Sequence, residues 1–179
     1  ASLSAHKIHG PLGIGALMVR RRLRRHIAPL LTGGAQEAGT RAGTVPTPLC
    51  VAFGEACRLS DPVEDGRRLG SLRDRLLELL RDHVELDVNG GLIHRLPGNL
   101  NLSFRGVDGE ALMTRLKSKV VVSTGSACTA RSLEPSPVLI AMGLSRERAE
   151  SAIRIGLGRD TTQDQIDEAS AAIAAAVLD

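Results

Sequence analysis

The stretch "LNLSFRGVDGEALMTRLKS", Leu100–Ser118, changes its period halfway along. "LNLSFRG" alternates apolar and polar residues from Leu100 to Arg105, the signature of a strand with one buried face. From Asp108 the segment "DGEALMTRLKS" reads as a helix with an aspartate at its N-cap. A strand handed directly to a helix predicts layers of helix on sheet, and the flanking sequence repeats the theme.

Upstream, Thr47–Leu59 and "LGSLRDRLLELLRDHV" carry apolar residues at helical spacing, with Leu69, Leu72, Leu76, Leu79 and Leu80 on one stripe. They predict a helix pair, followed by a short strand in "VELDVNG" closed by an Asn-Gly turn. Downstream, "KVVVSTGSAC" predicts a strand and "SPVLIAMGLS" a short helix with Pro137 in its first turn and Gly143 as its stop. "SAIRIGLG" alternates as a strand. "TTQDQIDEASAAIAAAVL" predicts a final helix with a threonine cap and an acidic first turn. The expected class is α/β, helices on a mixed sheet.

The beginning of the chain has a different texture. "HGPLGIGALMVR" predicts a Gly/Pro turn running into a strand at Ile14–Val19, whereas "LLTGGAQEAGTRAGTVP" is too rich in glycine for either regular element. Long loops of this kind in compact domains usually carry function. The change of texture near Thr44 sets an expected boundary between residues 1–45 and 46–179.

Composition narrows the function classes. A chain of 179 residues with 42% hydrophobic and 24% charged residues is long enough to bury a core. It holds no apolar run of membrane-spanning length, and its first residues lack the pattern of a signal peptide, so the expected location is the cytoplasm, without membrane contact. The basic run "RRRLRR", Arg20–Arg25, could suggest nucleic acid, but Phe53 and Phe104 are the only aromatics and give bases nothing to stack on. The run reads as a solvated face beside a strand, or as a dock for an acidic protein partner. Cys50, Cys57 and Cys128 form neither a CxxC nor a zinc spacing, so no metal site is expected.

Four features could carry chemistry. Lys7, in "SAHKIHGPLG", is one of only three lysines in the chain, with Lys117 and Lys119. A lysine that forms a Schiff base needs a desolvated, partly deprotonated amine; the residue pattern alone fits a surface lysine near a strand start equally well. Cys128, in "STGSACTA", sits among small and hydroxylated residues that can expose a thiolate and lower its pKa, whereas Cys50 and Cys57 share a helix face at seven-residue spacing and read as core. Arg154 is a charge within an apolar strand, either turned outward or offering its fork to a carboxylate. Gly33, Gly34, Gly39, Gly43 and Thr44 could build a backbone nest for phosphate.

Taken together, "SAHKIHGPLGIGALMVR", "GGAQEAGTRAGT" and "STGSACTARSLEPSPVLIAMGL" followed by "SAIRIGLGRDTT" resemble, in order and spacing, the pyridoxal-phosphate-dependent cysteine desulfurases of the iron-sulfur cluster assembly type, from Ser4 to about Glu168. The resemblance implies a fold type I, aminotransferase-like architecture, with residues 1–45 as the end of the large, cofactor-binding domain and residues 46–179 as the small domain that carries the cysteine loop. It implies pyridoxal 5'-phosphate as cofactor, Lys7 as the residue that holds it covalently, Ser4 and His6 on its phosphate, and Thr44 reaching the phosphate of the neighbouring subunit in a homodimer. Cys128 would accept sulfur from L-cysteine as a persulfide, leaving alanine, and Arg154 would clamp the substrate carboxylate. A sulfur acceptor or iron-sulfur scaffold protein is the implied partner. Family members carry a long N-terminal part before the "SAHK" motif, so the chain is expected to be one half of a longer or split enzyme. Leu12, Ala35 and Ala38 stand where the family usually has lysine, glycine and arginine. Two other readings remain open: a cofactor-free persulfide relay, and a lyase of the same cofactor class acting on selenocysteine.

Overall fold

The computed structural model describes residues 1–124 and 134–179. The chain forms two compact units, Ala1–Asp61 and Pro62–Asp179.

In the first unit, β1 (Ser2–Ser4) pairs antiparallel with β2 (Gly15–Leu17), in the register Ser2 to Leu17 and Ser4 to Gly15. The expected strand over 14–19 is thus cut to three residues. A 3-10 turn, Ala5–Ile8, joins β1 to the Gly/Pro segment, and Ala5 is its buried residue. The backbone tethers Ala5 on both sides: its N–H donates to Ile14 O (3.2 Å) and its carbonyl accepts from Gly10 N–H (2.9 Å). Arg21–His26 form a second, fully exposed 3-10 turn. The Gly-rich stretch has no regular element beyond the turn Gln36–Gly39, in which Glu37 and Ala38 take left-handed φ of 50° and 56°. Helix α1 (Thr47–Leu59) follows.

Cys50 and Cys57 require a correction. The spacing places them on one face of α1, but the residues that α1 buries are Phe53 and Ala56; Cys50 is only half-buried and Cys57 is exposed.

The second unit packs its long helices on one face of a three-stranded sheet and two short ones on the other. Helix α2 (Pro62–Arg81) is followed by β3 (Leu86–Val88), β4 (Asn99–Phe104), α3 (Gly109–Leu116), α4 (Pro137–Ala141), α5 (Arg146–Glu150), β5 (Ala152–Gly156) and α6 (Gln163–Leu178). The strand order is β3-β4-β5, antiparallel throughout, rather than mixed. Of the strand expected in "KVVVSTGSAC", the described residues 119–124 contribute an isolated bridge, Ser123 to Arg154, and Val121 near it is 96% exposed.

Alternation in β4 and β5 builds the core. Leu100, Leu102 and Phe104 of β4 and Ile153 and Ile155 of β5 point to one side, where they meet Leu76 and Leu80 of α2, Leu112 and Leu116 of α3 and Ile173 of α6. Each such side chain removed from water contributes about 1.5–3 kcal/mol. The other face carries Asn99, Asn101, Ser103 and Arg154. Asp108 caps α3 by accepting from Ala111 N–H at 2.8 Å, and Thr162 closes a reciprocal capping box with Gln165 on α6. Gly109 lies so close to Glu150 O that a Cβ would collide with it, which lets α3 start against the end of α5. No helix among the described residues is long and apolar enough to cross a membrane.

Candidate functional site

In the first unit, three of the expected site residues share one turn. Ser4 ends β1, and His6 and Lys7 sit in the 3-10 turn; all three are exposed, while Ala5 between them is fully buried. The chain is anchored by the one residue without functional groups and turns its hydroxyl, imidazole and amine outward. The desolvation that a Schiff-base lysine needs is therefore not supplied to Lys7 by its neighbours in the turn. His9 closes the turn at φ 64°, a left-handed conformation unusual for a residue with a side chain. Thr44 lies elsewhere in the unit, in a loop wound round Arg41, whose Nη1 donates to Gly43 O (2.7 Å) and reaches Ala42 O and Thr44 O at longer distance.

In the second unit Arg154 projects between two buried residues, Ile153 and Ile155, onto the face of the sheet opposite the core, where it is exposed. It lines a cavity of about 450 Å³ together with Asn99 and Asn101 of β4, Thr124, and residues of the turn after β3 and of α4. Volumes of this order suit small molecules. Asn101 is the cross-strand partner of Arg154. Its position is fixed from behind by Asn89, which is 2% exposed.

Asn89 uses every polar atom it has. Its Nδ2 donates to Asn101 Oδ1 (2.7 Å) and Ser103 Oγ (2.8 Å), and its Oδ1 accepts from Arg148 Nε (2.9 Å). Its backbone N–H donates to Asn101 O (2.9 Å), and its carbonyl accepts from Arg95 Nη2. The Asn-Gly turn was legible in the sequence, and Gly90 does take φ 83° there. The asparagine's role as a buried junction was not, and Arg95 carried no signal at all. Cys128 lies outside the described residues.

The first unit thus gathers Ser4, His6 and Lys7, and the second holds Arg154 in a cavity of mixed polar and apolar lining. The sequence model of the Aminotransferase class-V family matches residues 1–169. The chain belongs to that family. Among its relatives are proteins named cysteine desulfurase IscS from Tolumonas auensis, 51% identical over 170 residues, and from Rickettsia typhi, 48% identical over 172 residues; each match covers 94% of this chain and 42% of the relative. Among solved structures, a NifS-like protein superposes with a TM-score of 0.83 at 32% identity, covering 97% of this chain and 44% of the other. The NifS-like protein from Rickettsia africae gives 0.82 at 27% identity, covering 98% and 46%. The chain therefore has the α/β fold of aminotransferase class-V proteins, and it spans well under half the length of the relatives it matches.

Proposed function

We propose that this aminotransferase class-V chain carries the sulfur-accepting part of a cysteine desulfurase, which converts L-cysteine to L-alanine and passes the sulfur on as a persulfide of Cys128. The observation that carries the reading is the turn that buries Ala5 and presents Ser4, His6 and Lys7 together. That donor set fits pyridoxal 5'-phosphate: a hydroxyl and an imidazole for a phosphate, and an amine for an aldehyde. When bound, the cofactor supplies an electron sink for the substrate's α-carbon.

The chain's own residues have separable tasks. Lys7 would hold the cofactor through Nζ, Ser4 and His6 would hold its phosphate, and Thr44 would reach the phosphate bound in a second subunit of a homodimer. Arg154 would receive the carboxylate of L-cysteine with its fork and fix the substrate's orientation, turning an encounter into a positioned reaction. Cys128 would act as a thiolate. A sulfur–sulfur bond forms while the Cβ–S bond of the substrate breaks, the proton of the substrate thiol ends on Cβ, and persulfide and alanine are the balanced products. In this reading residues 1–45 are the end of a cofactor-binding large domain and 46–179 a small domain. Iron-sulfur cluster assembly in the cytoplasm, with a scaffold protein as acceptor, is the proposed setting, in keeping with relatives named IscS.

The test uses the full-length protein incubated with L-cysteine, with alanine measured and added sulfur located by mass spectrometry. The parent should make alanine and gain one sulfur on Cys128. Cys128→Ser should keep the cofactor's visible absorbance and lose turnover at least a hundredfold, and Lys7→Ala should lose both absorbance and turnover. Normal alanine production by Cys128→Ser, or added sulfur on Cys57 instead, would overturn the reading.

A further inference from the structure

The cavity around Arg154 contains a second guanidinium. Arg95 gives one N–H to Asn89 O, but its Nε and Nη1 are shut off from solvent without a hydrogen-bond partner among the described residues. A buried donor left unsatisfied costs about 1–3 kcal/mol, and more when it is charged, so a ligand acceptor that draws these donors out into the cavity relieves that cost. Nor is there a counter-charge: among the described residues lining the cavity there is no Asp or Glu. Burial, and then repulsion from Arg73, push the Arg95 guanidinium below its ordinary pKa, which is the behaviour of a cation short of an anion.

The cavity lining also mixes polar residues, among them Arg95, Arg154 and Asn101, with apolar ones, Val138, Leu139 and Met142 of the α4 segment. A ligand that satisfies both has an anionic head and a short apolar or sulfur-bearing body. A carboxylate offers about four lone-pair sites, enough to accept from two guanidinium groups at once.

We propose that Arg95 is a second carboxylate-binding residue of this cavity, sharing with Arg154 the carboxylate of a small acid whose body lies against Leu139 and Met142. The proposal deepens the desulfurase reading and rests on its placement of the substrate carboxylate at Arg154.

The experiment follows the arginine Nε–H resonances of the full-length protein while propionate is added, with propionamide as the uncharged control. Propionate has the head and body required and no amine to react with a cofactor. The Arg95 and Arg154 resonances should both move with propionate, with one dissociation constant, and neither with propionamide. Arg95→Gln should weaken propionate binding about tenfold, with partial recovery in Arg95→Lys. A stationary Arg95 resonance in the parent overturns the proposal even if the glutamine variant fails to fold. Normal propionate binding by Arg95→Gln alongside its loss in Arg154→Gln overturns it too, and leaves the Arg154 assignment standing. Stationary resonances at both arginines would overturn both.

Discussion

Asn101 on β4 stands directly across the sheet from Arg154 on β5, and its side-chain oxygen is held at 2.7 Å by Nδ2 of Asn89, twelve residues earlier in the chain. The wall of the cavity is thereby tied to an amide that is almost wholly buried. Asn89→Ala should destabilise the protein by about 1–3 kcal/mol, because Asn101, Ser103 and Arg148 each lose a partner in a place water reaches poorly. Asn89→Asp should keep the contact to Arg148 Nε and lose both donations from Nδ2. Urea denaturation of the two variants checks this. Equal stability of Asn89→Ala and the parent would show that the junction is not strained by its loss.

The thiols of α1 should differ in reactivity by exposure. Cys57, exposed, should be alkylated by iodoacetamide faster than half-buried Cys50, and Cys57→Ser should change stability by no more than about 0.5 kcal/mol. Peptide mapping after timed alkylation gives the order. Faster labelling of Cys50 would contradict the packing of α1 on its Phe53 face.

Acid should act through the contact between α2 and α6. Arg75 Nε and Nη2 donate to the two carboxylate oxygens of Asp167 at 2.7 and 2.8 Å, and this hydrogen bonding holds the Asp167 carboxyl below its ordinary pKa. A carboxylate depressed in the folded state adds stability that is present above its unfolded pKa and is lost as pH falls through the folded one. The window therefore lies below about pH 4. Thermal melting temperatures of the parent and Asp167→Asn should differ at neutral pH and converge under acid. The pair is partly exposed, so 0.5 M salt should shrink the difference. A gap unchanged between pH 7 and pH 2.5 would rule the ion pair out as its source.

Helix caps offer a test of local energetics. Asp108 accepts from Ala111 N–H at 2.8 Å and Thr162 from Gln165 N–H at 3.3 Å. Asp108→Ala and Thr162→Ala should each cost about 1 kcal/mol, and the serine variants should recover most of it. Chemical denaturation at neutral pH reads both. Serine variants as unstable as the alanine ones would point away from capping.

The caps, the stripe of α2 and the change of period at Leu100–Ser118 were legible because they depend on residues a few positions apart. Asp108, Thr162 and the buried trio Leu100, Leu102 and Phe104 fall where the pattern puts them. Periodicity identifies which residues share a face without identifying the face that is covered, which is why Cys57 came out exposed on α1. The short helix α5 has no apolar stripe, only a serine cap at Ser145, and five residues are too few to set a period. The candidate site was readable only where its residues are clustered in sequence, as with Ser4, His6 and Lys7. The alliance of Asn89, Arg95 and Asn101 with Arg154 depends on strand register over more than sixty residues, which no local signal encodes.

The alternation along β4 sets the freedom with which this molecule can change. Its Leu100, Leu102 and Phe104 are committed to the interior, and its Asn99 and Asn101 line the cavity on the reverse side. One residue inserted into this strand would turn leucines toward the cavity and asparagines toward the helices from that point onward, losing the fold and the cavity together. Replacing Asn99 leaves the apolar interior untouched, whereas replacing Asn101 strands a donor of buried Asn89. The lineage can thus retune what the pocket prefers one side chain at a time, while the pocket's address in the sequence is frozen.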